Sequence, residues 1–245
     1  MVKNNILWSV ALAAVLFFVM FSPWTAPYVN FWYTMTATAI ILTSISLYLC
    51  PETLKQLKTP SPWGKQNVTP SPWGRLRGGE LCSGWGWGWG RGWLWGRGWL
   101  WSLFYGLLIA FVLWWAFWIG DKVSAWLFGF ARPQVDMIYG MKSGTSPVVI
   151  ALLLMFIIGP GEELFWRAFL QRRLMERWGK NIGFIAATAC YTLVHIWSFN
   201  FMLVMAAMVA GICWGFLYRL SPKLLPALII SHSVWDVCAF ILFPI

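Results

Sequence analysis

Acidic residues are scarce in this chain: eight Asp and Glu stand against 18 Lys and Arg among 245 residues, with two histidines. Charged residues reach 11% while 60% are hydrophobic, and the mean hydropathy is +0.66. So little charge excludes an ordinary soluble domain and a disordered polar chain. The net charge of +10 does not point to nucleic acid. The cations gather between apolar runs, where they orient a chain in a bilayer and meet anionic lipid. Cysteine is sparse as well. Cys50, Cys82, Cys190, Cys213 and Cys238 are scattered and odd in number, with no CxxC and no Cys/His pair at zinc spacing. That excludes a disulfide framework and a zinc finger, and leaves packing as their expected role. Lys3 and the apolar residues after it lack a small-x-small cleavage site, and Pro23 and Pro27 occupy that region, so an uncleaved first span is expected.

What is present is a series of apolar runs at about 6–21, 31–50, 99–120, 147–170, 183–199, 201–220 and 224–243. The expected fold is an all-α polytopic membrane protein of about seven transmembrane helices, with any site in the C-terminal ones. Four segments follow: two N-terminal helices over 1–50, a cytoplasmic loop over 51–98, a third helix and outer loop over 99–146, and a helical core over 147–245. Basic residues follow the second run (Lys55 to Arg97), the fourth (Arg172, Arg173, Arg177, Lys180) and the sixth (Arg219, Lys223). The gaps after the first and fifth runs are uncharged. This alternation places the N-terminus in the cytoplasm and the C-terminus outside. The sequence style points to a bacterial cytoplasmic membrane.

Residues 51–98 are of low complexity. Thr59-Pro60-Ser61-Pro62-Trp63-Gly64 recurs as Thr69-Pro70-Ser71-Pro72-Trp73-Gly74, and Gly90-Arg91-Gly92-Trp93-Leu94-Trp95 is repeated at once from Gly96. Such short periods do not build solenoid units. Glycine at alternate positions opposes helix and strand alike. The expectation is a repeat expansion lying on the cytoplasmic membrane surface.

The chemistry concentrates elsewhere. Glu162 and Glu163 are followed by Arg167 inside an apolar stretch, His195 sits in the fifth run, and His232 and Asp236 sit in the seventh. Each ionisable group at that depth costs roughly 2.5–3.5 kcal/mol on insertion scales, so six of them point to function. Glu163 and Arg167 are one helical turn apart and pair, which makes Glu163 a positioning group. Glu162 points about 100° away, without a partner in its own helix, and is the better general base. His232 and Asp236 also share a face, where the carboxylate can fix the imidazole tautomer or help bind a reacting oxygen. Glu162 and His232 fall roughly 12–14 Å from the cytoplasmic ends of their runs and His195 at about 18 Å. The site is therefore expected in the cytoplasmic half, with water entering from that side. Gly159-Pro160-Gly161 is expected to break the fourth helix just before Glu162.

EExxxR, an aromatic residue four positions before His195, and HxxxD, each in its own run, resemble the CPBP family of intramembrane endopeptidases, relatives of the type II CAAX prenyl proteases and bacteriocin-processing (Abi) enzymes. The resemblance spans roughly residues 147–240. The helix around Gly211 and Gly215, whose GxxxG spacing allows close helix approach, fits the same family. It implies a protease in which Glu162 and His195 activate water while His232 and the residue at 236 stabilise the oxyanion. The chain departs from the family pattern at Tyr191, usually Phe, and at Asp236, often Asn.

The resemblance implies a peptide or membrane-protein substrate within the lipid bilayer and leaves metal use open. A metal-free glutamate mechanism is favoured because Arg167 opposes a nearby cation. Zinc is the alternative, with Glu162, His195 and His232 as its ligands. A non-catalytic membrane scaffold or immunity protein of the same fold, and a proton-coupled transporter, are the rival readings.

Overall fold

In the computed structural model, residues 2–50 and 97–245 are described. The expectations for the repeat-rich loop lie outside them. The described residues form helices and no strand. These are α1 (Val2–Phe21), α2 (Phe31–Leu49), α3 (Arg97–Leu127), α4 (Ala131–Gly140), α5 (Pro147–Trp178), α6 (Lys180–Leu193), α7 (Phe201–Leu220) and α8 (Leu225–Val237). A tighter turn, Val194–Ser198, continues α6. Lipid offers no partner for a free N–H or C=O, so the apolar runs close their hydrogen bonds internally.

Among the described residues, five stretches are long and apolar enough to cross a membrane: Phe31–Leu49, Trp99–Leu127, Pro147–Trp178, Phe201–Leu220 and Pro222–Leu242. The other two expected runs are shorter. The apolar part of α1 is Asn5–Phe21. α6 has 14 residues, about 21 Å at the helical rise, against a hydrocarbon core of roughly 30 Å.

Local chemistry sets the ends. Asn30 caps α2 by accepting from the Trp32 and Tyr33 amides, and Asn200 caps α7 by accepting from that of Leu203. Gly179, at φ +83°, turns the chain between α5 and α6. Gly183 then lies on the backbone of Met175, a contact any Cβ would obstruct.

α5 differs from expectation. Gly159-Pro160-Gly161 does not break it. The helix winds wide on both sides instead, over Leu154–Ile158 and Glu163–Gln171. The Gly159 amide reaches back five residues to the Leu154 carbonyl. That shifted pairing accommodates the donor Pro160 lacks.

The gap after α3, expected as an outer loop, contains α4 and is tied down by polar bonds. Arg132 pairs with Asp121 at 3.0 Å. The Gln134 carbonyl accepts from Asn200 Nδ2 at 2.8 Å, and Trp32 Nε1 donates to the Met141 carbonyl at 2.9 Å. Tyr139 donates to the Ala239 carbonyl at 3.0 Å. Burial raises the pKa of its phenol above the ordinary value, keeping the donor protonated.

Among the described residues, three apolar clusters pack the bundle, one of them around Trp32, Ile150, Leu154 and Ile158, and the other two flank the polar residues. Of those two, one joins Phe17 and Met20 of α1, Leu42 of α2, Phe165 and Trp166 of α5, and Tyr191 of α6. The other joins Ala110 and Leu113 of α3 to Trp214 of α7 and Leu228 and Trp235 of α8. The ionisable residues lie between the two.

Candidate active site

Glu163 is wholly buried at the centre of the polar cluster. Its Oε1 accepts from His232 Nδ1 at 2.8 Å and lies 3.0 Å from Arg167 Nη1. The arginine contact lacks hydrogen-bond alignment, so it is chiefly coulombic. The Arg167 guanidinium is also held over the ring of Tyr191, 4.6 Å from its centroid, and 5.5 Å from that of Trp214. One carboxylate thereby neutralises a buried cation and fixes an imidazole.

The sequence offered Asp236 as the residue that orients His232. Glu163 does so instead, through Nδ1, because α5 and α8 meet closely at Gly159 and Ser233, where a Cβ on the glycine would come within 2.5 Å of Ser233 Oγ. With Nδ1 committed, Nε2 faces Glu162 Oε2 at 3.9 Å and Asp236 Oδ2 at 3.6 Å. Both separations exceed a hydrogen bond and leave room for a third polar atom among them. Trp214 stacks on the imidazole at 3.9 Å between centroids, tilted by 18°, and anchors itself through Nε1 to Ser231 Oγ at 3.1 Å.

Glu162 has no partner in its own helix, but Tyr191 of α6 donates to its Oε2 at 3.1 Å. The Tyr191 carbonyl in turn accepts from His195 Nδ1 at 2.8 Å. A carbonyl has no proton to give, so Nδ1 holds the ring proton and Nε2 of a neutral His195 keeps its lone pair. The structure thus brings Glu162, Glu163, Arg167, His232 and Asp236 into one contiguous group and joins His195 to it through Tyr191.

Glu162, Tyr191, His195, His232 and Asp236 line a cavity of about 330 Å³. Glu163 and Arg167 stand behind that wall. The rest of the wall is mostly apolar and includes Met35, Met141, Met202 and Met205. The cavity runs past Phe31, Asp121, Phe128 and Phe201, toward the bundle end that holds the α1–α2 turn and α4. Among the described residues, none of Arg172, Arg173, Arg177, Lys180, Arg219 and Lys223 lines it. Water was expected from the cytoplasmic side, whereas the cavity leads to the end that the same charge pattern assigns to the outside. The depth estimate counted α5 only to Leu170, and the helix runs on to Trp178, which sets Glu162 farther from that end.

Among the described residues, no group of three or more His, Cys, Asp and Glu is arranged to hold a metal ion. Tyr191 and Trp214 were missed as site residues by sequence reasoning. The only signals were their places in the aromatic-xxx-His motif and between Gly211 and Gly215.

The family model described as type II CAAX prenyl endopeptidase Rce1-like matches residues 144–238. No curated protein matches the chain, and no solved structure does. The matched segment runs from just before α5 to the end of α8 and contains all six ionisable residues. Over this segment, which is less than half of the chain, the protein is similar to the CAAX protease family of membrane endopeptidases.

Proposed function

We propose that the protein hydrolyses a peptide bond within the bilayer, using water activated by Glu162. The observation that carries this reading is the shared cavity wall of Glu162, His195, His232 and Asp236, backed by the buried Glu163–Arg167 pair. Glu162 takes a proton from water while the His195 Nε2 lone pair orients it. The resulting hydroxide attacks the substrate carbonyl. His232, protonated on Nε2, donates to the oxyanion, and Glu163 and Asp236 offset the imidazolium charge. Collapse breaks the C–N bond, and Glu162 returns its proton to the leaving nitrogen. The products are an acid and an amine, so atoms and protons balance.

The apolar wall suits a membrane peptide, a prenylated peptide or a precursor segment. The four methionines give it adaptable shape, which favours tolerance over a single side-chain fit. Zinc would draw on Glu162, His195 and His232, and the scheme above routes no step through it. The charge pattern supports an N-terminus inside the cell, which makes the open end of the cavity face outward.

The test is cleavage of membrane peptides by the purified protein in liposomes, beside Glu162→Gln and with a chelator. We expect cleavage that survives chelation and vanishes in a folded Glu162→Gln protein. Near-normal activity in that variant removes Glu162 from the mechanism. Loss on chelation with recovery in zinc replaces the glutamate scheme by a metal-dependent one.

A further inference from the structure

Tyr191 stands where the family that the chain resembles usually has phenylalanine, and its hydroxyl is neither idle nor turned to lipid. A buried phenol needs some partner, so its bond to Glu162 is not diagnostic by itself. Two further observations are. The backbone carbonyl of the same residue accepts the Nδ1 proton of His195, so one residue holds both side chains assigned to the attacking water. The ring is also fixed on every side: the Arg167 guanidinium covers it at 4.6 Å, Trp166 and His195 meet it edge-on at 5.2 Å each, and Gly211 lies against its edge. A Cβ on Gly211 would come within 3.0 Å of Tyr191 Cδ1. Gly211 thus has a specific purpose beyond helix packing, since it leaves the space this ring occupies.

We propose that Tyr191 is a positioning residue of this site, a clasp that refers Glu162 and His195 to one rigid point. Its hydroxyl takes one oxygen of the Glu162 carboxylate and leaves the other for the attacking water. Its carbonyl sets the His195 tautomer with Nε2 unprotonated. The residue touches no reacting atom and acts through the two that do. This rests on the hydrolytic reading above for its kinetic consequence, but not for its geometry.

The experiment pairs Tyr191→Phe with Gly211→Ala and the double variant. Tyr191→Phe keeps the ring, and with it the packing and the arginine contact, and removes only the hydroxyl. We expect kcat for a membrane peptide to fall about 10-fold with KM changed less than about 2-fold, since the lost bond orients a base rather than binds substrate. Gly211→Ala is expected to lower kcat in the same sense, and to lose most of that effect in the Tyr191→Phe background, where no hydroxyl remains to misplace. A carboxyl infrared band isolated by difference against Glu162→Gln is expected to shift in Tyr191→Phe. An unchanged kcat, fully additive losses or an unmoved band overturns the clasp. If the wild-type protein cleaves nothing, the hydrolytic reading fails by itself, and the infrared band still decides whether Tyr191 holds Glu162.

Discussion

Replacing Gly159 with alanine tests whether the spacing between α5 and α8 sets the site. A Cβ there would meet Ser233 Oγ at 2.5 Å, Ser233 Cα at 3.0 Å and the Leu154 carbonyl at 3.0 Å. Serine can rotate its hydroxyl away, but the other two atoms are backbone. Ordinary contact begins near 3.4 Å, so the Oγ clash asks for about 0.9 Å and the backbone contacts for about 0.4 Å even after rotation. The neighbouring bond from His232 Nδ1 to Glu163 is 2.8 Å long. Stretching it by about 0.4–0.9 Å weakens or breaks it and lets the imidazole turn from Glu162. Overpacking of this kind costs about 1–3 kcal/mol, and misplacing catalytic groups by about 1 Å costs on the order of 100-fold in rate. The expected outcome is a folded protein with thermal unfolding in detergent lowered modestly and liposome cleavage reduced about 10- to 100-fold. Removing the hydroxyl as well, in Gly159→Ala with Ser233→Ala, should recover part of that loss. Wild-type cleavage in the single variant would refute the claim that this glycine sets the carboxylate–imidazole geometry.

Glu163→Gln should be worse for folding than for any single chemical step, because Arg167 is left buried without its counter-charge at a cost of about 3–5 kcal/mol. Adding Arg167→Met should restore much of the thermal stability, and a Glu163→Gln protein as stable as wild type would show that the pair is not coupled. Deleting residues 59–90 should leave liposome cleavage intact, since the repeats carry none of the ionisable groups of the cavity. A folded deletion variant without activity would give that segment a function.

The ionisable residues that line or back the cavity were legible in the sequence because such groups are rare in apolar runs, and Glu162, Glu163, Arg167, His195, His232 and Asp236 are conspicuous there. Spacing within one helix was equally legible, and the Glu163–Arg167 contact follows from it. Partnership between helices was not. An i, i+4 pattern linked His232 to Asp236, yet the choice between Asp236 and Glu163 depends on the register of α5 against α8, which no single run encodes. Trp214 escaped because an aromatic residue in an aromatic-rich membrane chain carries little signal, and Tyr191 was legible only as the aromatic position before His195, which says nothing of what its hydroxyl bonds. The depth of Glu162 in its span was less legible, because it was counted from an end at Leu170 and the helix continues through Arg172 and Arg173 to Trp178. α4 was hidden among the mixed charges of its gap.

The wide turns of α5 have a consequence for how this chain can vary. Each residue of an α-helix advances about 100° around the axis, and a wide turn absorbs one residue beyond that pitch without passing the rotation on. Removing one amino acid from Leu154–Ile158 would therefore let that turn regularise and leave Glu162 and Glu163 facing the cavity. Removing or adding one where the helix is already regular, as in Pro147–Leu153, would turn the two ends of α5 about 100° against each other. Substitutions among Leu, Met, Phe and Ile are forgivable along the whole stretch, whereas a change of length is forgivable only at the wide turns. Homologous chains should therefore drift freely in composition along α5 and differ in length there, by one residue, chiefly where it is wound wide.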